Sequence, residues 1–284
     1  MRLLTDEGVR VCKRHVVLAP RRAKIPEAFG KIASNPDDHQ RMLSEMQRLR
    51  GRVALLEGAI QRSELTADGR DASPVDHLAW HLLTLDDHGA IGGCLRMLVH
   101  PCRAPFESLM VSRTALAKCP ERGVGLRVAV ESELRDASVS GAAVVEVGGW
   151  VLTESMRRST EAVRLALGAW AWGRLFGGAV GIATATVRNH SACILGKIGG
   201  RPLRHLGEPI PQYFEPKYGC DIQILRFDSN SYSCRYAPLV DSICGELVRS
   251  RVVSAGDGQR VGVSTRFPAL HAPQADLAYA EYAT

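Results

Sequence analysis

A carboxylate inside an apolar run invites the first chemical reading. Glu146 stands in Val144-Val145-Glu146-Val147, where it is costly to bury unless it is paired or used. Used, it takes a proton from an attacking ammonium, directly or through water. Paired, it is a structural glutamate held by an arginine such as Arg96. Further on, Met156-Arg157-Arg158-Ser159-Thr160 leads into a long apolar stretch. The start of a helix offers unpaired N–H groups and a positive dipole end to an anion, and Arg157 and Arg158 add cationic donors. The alternative is an ordinary solvated helix cap. Between these features lies Gly148-Gly149 beside Trp150. Small residues in a strand mark either a bulge or a place where a ligand comes close.

The elements that must position these residues follow from periodicity. Residues 142–152 read as a strand, 153–160 as a polar turn and 161–176 as an apolar helix ended by Gly177-Gly178. Residues 179–187 are a second strand and 189–198 a second helix, stopped by Gly199-Gly200. Strand–helix–strand with short connections is a crossover between two parallel strands. Upstream, Met42, Met46, Leu49, Val53, Leu56 and Ile60 recur at spacings of three and four, which predicts an amphipathic helix over 37–62. Residues 78–85 and 90–99 form a hairpin about Asp86-Asp87-His88-Gly89. A helix is expected over 121–136, its turns marked by Val124, Val128, Glu131 and Arg135. A strand over 221–227 and a helix over 239–248 follow.

Composition narrows the function classes. A chain of 284 residues, 45% apolar and 23% charged, can bury a full core as one domain with appendages. The expected division is a basic lead-in over 1–35, a domain over 36–250 and a flexible tail over 251–284. No apolar run approaches the ~20 residues of a membrane-spanning helix. Asp6, Glu7, Arg10, Lys13 and Arg14 leave no room for a signal peptide. The expected location is therefore the cytoplasm. Eight cysteines without a C-x-x-C pair predict reduced thiols, no disulfide scaffold and no metal site. The net charge of +6 is concentrated near the start. That patch allows peripheral contact with an anionic membrane surface. Without interleaved aromatics or a reading motif it does not predict nucleic-acid binding.

The order of motifs in 144–200 resembles the acyl-thioester-binding core of the GNAT superfamily. The strand with Glu146 is followed by the arginine turn, a long helix, a second strand, then Asn189-His190-Ser191-Ala192 and Gly200. The resemblance implies a mixed α/β (α+β) fold with a central twisted mixed sheet, splayed parallel strands and flanking helices. It implies that residues 156–160, with Asn189 and Ser191, hold the phosphate end of an acyl-CoA or acyl-carrier-protein donor. It implies too that a backbone N–H near Val151 or Leu152 holds the thioester oxygen. The turn departs from the family's glycine-rich form, having no G-x-G. Gly196 stands where many members carry a tyrosine that protonates the departing thiolate. Ser191 or solvent would take that role.

Upstream, Asp68-Gly69-Arg70-Asp71, His77-Leu78 and Asp87-x-Gly89-x-x-Gly92-x-x-Leu95-Arg96 are similar to acyl-homoserine-lactone synthases and long-chain N-acyl amino acid synthases. The similarity spans residues 45–226. The early aromatic signature of the lactone synthases is absent, which favours the amino acid synthase branch. The implied reaction is transfer of an acyl group, long-chain by preference, from carrier protein or CoA to the amine of a small amino-acid-like acceptor. No permanently bound cofactor is implied. Arg96 or Arg103 would hold the acceptor's carboxylate, with Trp150 beside it, unless they pair with Asp86, Glu107 or Glu146. Three alternatives stand beside this: a small-acyl enzyme using acetyl-CoA, a non-catalytic thioester-binding or interaction module, and a cysteine-dependent transferase using Cys193.

Overall fold

The computed structural model describes residues 14–261 except 158, 233, 257 and 258. Three short strands open it: β1 (His15–Ala19), β2 (Lys24–Pro26) and β3 (Lys31–Ser34). Helix α1 (Pro36–Leu56) precedes the hairpin of β4 (Trp80–Leu85) and β5 (Ile91–His100). Helix α2 (Gly123–Ser140) leads to β6 (Ala143–Leu152), the single turn α3 (Glu154–Arg157), the long α4 (Glu161–Leu175) and β7 (Ala179–Thr186). After α5 (Ser191–Ile198) come β8 (Arg201–Pro202), β9 (Arg204–His205), β10 (Glu208–Pro209), β11 (Tyr213–Glu215) and β12 (Cys220–Asp228). Helix α6 (Ala237–Arg249), β13 (Arg251–Ser254) and β14 (Gln259–Val261) complete the described chain.

One mixed sheet runs β11-β12-β7-β6-β5-β4-β1-β13-β3, with β8 alongside β12. The expected hairpin is β4 with β5, antiparallel, and the expected crossover makes β6 and β7 parallel. Alternation along the strands builds two apolar layers. Val17, Leu82, Leu95 and Val145 pack under α4 and α6 on one face. Val16, Leu18, Leu83 and Cys94 meet α1, and Val144, Val180 and Ile182 meet α2, on the other. Helix α4 is buried on nearly every side from Leu165 to Gly173, as a run of apolar residues around the whole helix must be.

The division of the chain differs from expectation. Residues 15–34 are not a lead-in: β1 is buried throughout and paired on both edges, with β4 and β13. Four apolar residues, Val16-Val17-Leu18-Ala19, outweigh the basic residues around them once a sheet edge is available. The start of the expected tail likewise supplies β13 between β1 and β3, and β14 beside β2. The earlier part of the basic segment, residues 1–13, and residues 262–284 lie outside the described residues. Two helix faces are corrected as well. Val124 and Val128 are exposed on α2, whose core face is Leu126, Ala129, Val130, Leu134 and Ala137. Helix α1 ends at Leu56, which is exposed, so the stripe stops at Val53. No described helix is long and apolar enough to cross a membrane. Among the described residues no cluster suited to a metal ion occurs, and the described cysteines are free.

Two glycines give the packing a direct check. The Phe227 ring lies over Gly181, where a Cβ would come within 1.8 Å of it. Gly196, in α5, has nothing within 4 Å of that position. Gly181→Ala is expected to lower stability in urea by about 1–3 kcal/mol through overpacking. Gly196→Ala is expected to be neutral or to add up to about 1 kcal/mol of helix propensity. Equal effects at the two sites would contradict this packing.

Candidate active site

The parallel strands β6 and β7 pair only from Ala143–Ala179 to Val147–Ala183. Beyond that point β6 continues to Leu152 and β7 to Thr186 without pairing, so the sheet opens. On the other side of β6 the ladder with β5 slips between Cys94 and Arg96, and Leu95 faces both Gly149 and Trp150. That is a β-bulge, and Gly149 carries the left-handed backbone (φ +58°) that a bulge residue adopts. The Gly148-Gly149 pair thus marks a bulge and a close approach together: Arg50 and Arg96 side chains lie against Gly149. Thr153 N–H bonds back to Gly92 C=O at 2.8 Å. By strand alternation the Leu152 N–H therefore points the other way, toward the opening.

A cavity of about 400 Å³ fills the opening and reaches both faces of the sheet. On one face it is apolar, lined by Ala162, Ala166 and Trp170 of α4 with Leu195, Leu225 and Phe227. On the other it is charged, with Arg50, Asp71, Arg96, Glu57 and Arg157 at its walls. The strand gap joins the two.

The charged wall is built around Asp76, which is fully buried. Its carboxylate accepts from Arg50 Nη1 at 2.9 Å and Nη2 at 2.6 Å, from Gln47 Nε2 at 2.9 Å, from Ser73 N–H at 3.0 Å and from Arg96 Nη1 at 3.3 Å. Burial alone would raise its pKa, but Arg50's hydrogen bonds and charge more than reverse this and hold it below the usual carboxylate range. Arg50 also donates to Asp71 C=O and lies 3.5 Å from the Asp71 carboxylate. The Thr66–Asp71 turn can sit on α1 because Gly51 has no side chain: a Cβ there would be 2.6 Å from Gly69 C=O.

Several expected site residues line the cavity: Arg96, Trp150, Val151, Leu152, Arg157, Asn189 and Ser191. Arg157 donates to Leu152 C=O at 3.1 Å and pairs with Glu57, which also accepts from Asn189 Nδ2 at 2.9 Å. Ser191 accepts from Thr186 Oγ1 at 3.3 Å. Ser159 and Thr160 are exposed at the start of α4, where Ser159 Oγ accepts from Glu161 N–H. Arg158 lies outside the described residues.

Three expectations are corrected. Glu146 is on the α2 face, turned from the cavity. Its oxygens accept from Met110 N–H and Val111 N–H, each at 2.7 Å, and lie 2.7 Å from His100 Nε2. It pins the turn after β5 and is not placed to serve a thioester; its partner is His100 rather than Arg96. Met156 is buried with its thioether over Gly92, so it belongs to the core. Arg103 is exposed beyond the end of β5, where His100 pairs with Val144 at the far end of β6 from the gap. Cys193 lines a neighbouring hollow with His190 and Gly196. The sequence reading missed Arg50, Glu57 and Asp71 as wall residues, and Asp76 buried behind them. The usable signal was Arg50 on the buried stripe of α1, between Leu49 and Val53.

No family model matches the sequence, and no curated protein matches it. Solved structures do. A CoA-dependent acyl-homoserine lactone synthase, BjaI, solved with MTA, has a TM-score of 0.51 at 15% identity over 87% of this chain and 95% of that one. The same synthase solved with SAM and isopentyl-CoA gives the same values. The chain shares the fold of that synthase, a mixed sheet flanked by helices, and the GNAT-like fold is as expected. FeeM, an N-acyl amino acid synthase from uncultured soil microbes, is also similar, with a TM-score of 0.45 at 11% identity over 76% of this chain and 92% of that one. In GNAT terms the splayed pair is β6 and β7, and the bulge at Gly149 sits beside the opening.

Two predictions test this wall. Asp76→Ala leaves Arg50 and Arg96 without their buried partner and is expected to cost about 3–5 kcal/mol in denaturant unfolding. A loss under about 1 kcal/mol would contradict the network. The second concerns buried histidines. Burial lowers the pKa of His39 to about 4 and of His81 to about 3, from 6.5. The unfolded chain takes up both protons as pH falls through about 6.5, while the folded chain waits until its own lower values. Stability present above about pH 6.5 is therefore lost progressively on acidification. His81→Gln should flatten the slope of urea midpoint against pH between 7 and 5, and an unchanged slope would refute the assignment.

Proposed function

We propose that this chain is an N-acyltransferase. It would move an acyl group from a carrier-protein or CoA thioester to the amine of a small amino-acid-like acceptor. The observation that carries this is the cavity through the sheet, apolar on the α4 face and charged on the α1 face, with the strand gap between. A thioester lying in the gap would place its carbonyl by Leu152 N–H, a donor already aimed at the developing oxyanion. The amides of a pantetheine arm would pair with the open edges of β6 and β7 as an added strand does. Arg157 and the start of α4 would meet the donor's phosphate.

On the charged face, Arg50 and Arg96 suit an acceptor carboxylate. Asp71 is the carboxylate we assign to the acceptor ammonium, taking its proton directly or through water. The free amine then attacks the thioester carbonyl; the nitrogen gives its remaining surplus proton to water as the tetrahedral intermediate collapses, the C–S bond breaks and the thiolate leaves to be protonated by solvent. The donor is a co-substrate and no resident cofactor enters. The place of work would be the cytoplasm, where carrier-protein and CoA thioesters are made.

A non-catalytic thioester-binding module remains the second reading, favoured by the engagement of Glu146 away from the gap. One assay separates the two. The protein is incubated with acyl-CoA or acyl carrier protein and a panel of amino acids and amines, and thiol release is followed with mass spectrometry of the products. The expected result is an N-acyl amide, reduced about 100-fold or more by Asp71→Asn, in the range general-base loss produces. Bound but unconsumed thioester across the panel would sink the enzyme reading.

A further inference from the structure

Helix α4 presents Ala162, Ala166 and Trp170 to the apolar arm of the cavity, four residues apart on one side of the helix. Two small residues are followed by the largest side chain available. Trp170 is buried (2% exposed), and its ring packs on Phe227 with centroids 4.5 Å apart. Phe227 in turn lies over Gly181, which pairs with Val145 just below the last paired residues of β6 and β7. The two rings therefore close the arm where the strand gap itself closes. The other α4 tryptophan is occupied elsewhere: Trp172 stacks with Phe176 at 4.1 Å and meets Trp80 edge-on.

We infer that Trp170, backed by Phe227, is the floor that sets acyl chain length, and that the donor is a medium-chain thioester. This inference rests on the acyl-transfer reading above. Leu152 and Ala162 line the same cavity, Ala162 stands in the first turn of α4, and α4 is the crossover that runs back along the parallel pair of β6 and β7. Eight helical residues advance about 12 Å. Carbon–carbon bonds of about 1.5 Å advance an extended chain by about 1.25 Å each, so the arm holds at most about ten carbons. Longer chains meet the indole. The long-chain preference implied by the family resemblance is narrowed accordingly.

The test uses the full chain with straight acyl-CoA and acyl-carrier-protein donors from butanoyl to hexadecanoyl. For the wild-type protein, kcat/KM is expected to fall about tenfold or more once the chain outgrows the arm, the scale of a methylene misfit in an apolar pocket. Trp170→Ala should move that fall to longer chains. Ala166→Leu, which fills the arm instead of emptying it, should move it to shorter ones and serves even where Trp170→Ala fails to fold. Thermal shifts with free fatty acids of the same lengths give a readout independent of catalysis. Variants that make amide with the wild-type length profile overturn the inference, as does equal stabilisation by all fatty acids. No amide from any donor, with length limits that still follow residues 166 and 170 in the fatty-acid shifts, defeats the transfer reading and supports the floor.

Discussion

Beyond Val147 and Ala183, the strands β6 and β7 diverge, and the ladder that should satisfy their backbone groups ends in the middle of the sheet. Unpaired N–H and C=O groups in a protein interior are costly unless something else bonds them. An opening of this kind persists only if neighbouring elements hold the strands apart and a ligand or water supplies the missing partners. The bulge at Gly149 twists β6 away from a regular register. Helix α4 occupies one face beneath the gap and α1 the other. The separation of an apolar from a charged compartment follows from which helix faces the gap on each side.

The Asp76 network fixes the charged side. A carboxylate with five donors lets two arginines stand at a cavity wall without moving into it, because Asp76 anchors both from behind and offsets one of their two positive charges. Arg50 and Arg96 can then offer remaining donors to a ligand. The same arrangement makes the wall rigid, since removing Asp76 leaves two guanidinium groups without their buried partner. Glu57 plays the complementary part at the mouth, where it joins Arg157 to Asn189 across the two strand ends.

Much of this was legible in the sequence, and the exceptions have physical causes. The crossover of β6, α4 and β7 was readable because an apolar strand, a long apolar helix and glycine stops leave one chain-topology solution. Arg157, Asn189 and Ser191, read from the sequence as donor-side candidates, line the cavity because they end elements whose positions that topology fixes. Glu146 belongs to a strand whose alternation decides which side it faces. Val145 and Val147 face α4, so Glu146 must face α2, away from the gap. Met156 misled because a residue in a polar turn can still reach the core when a glycine, here Gly92, leaves space. Arg50 and Asp76 lie twenty-six residues apart, with no local pattern to join them, and only the packing of α1 against the turn that precedes β4 brings them together. Strand β1 was missed because its pairing partners, β4 and β13, are both remote in sequence.

We propose a thioester that lies in the strand gap, its carbonyl at Leu152 N–H and its chain running under α4. A crystal structure with a non-hydrolysable acyl-pantetheine thioether ketone tests this most directly. The ketone oxygen is expected within hydrogen-bond distance of Leu152 N–H, the pantetheine between β6 and β7, and the chain ending against Trp170. An analogue bound outside the gap, or one whose chain runs along the charged face beside Arg50 and Asp71, would contradict it.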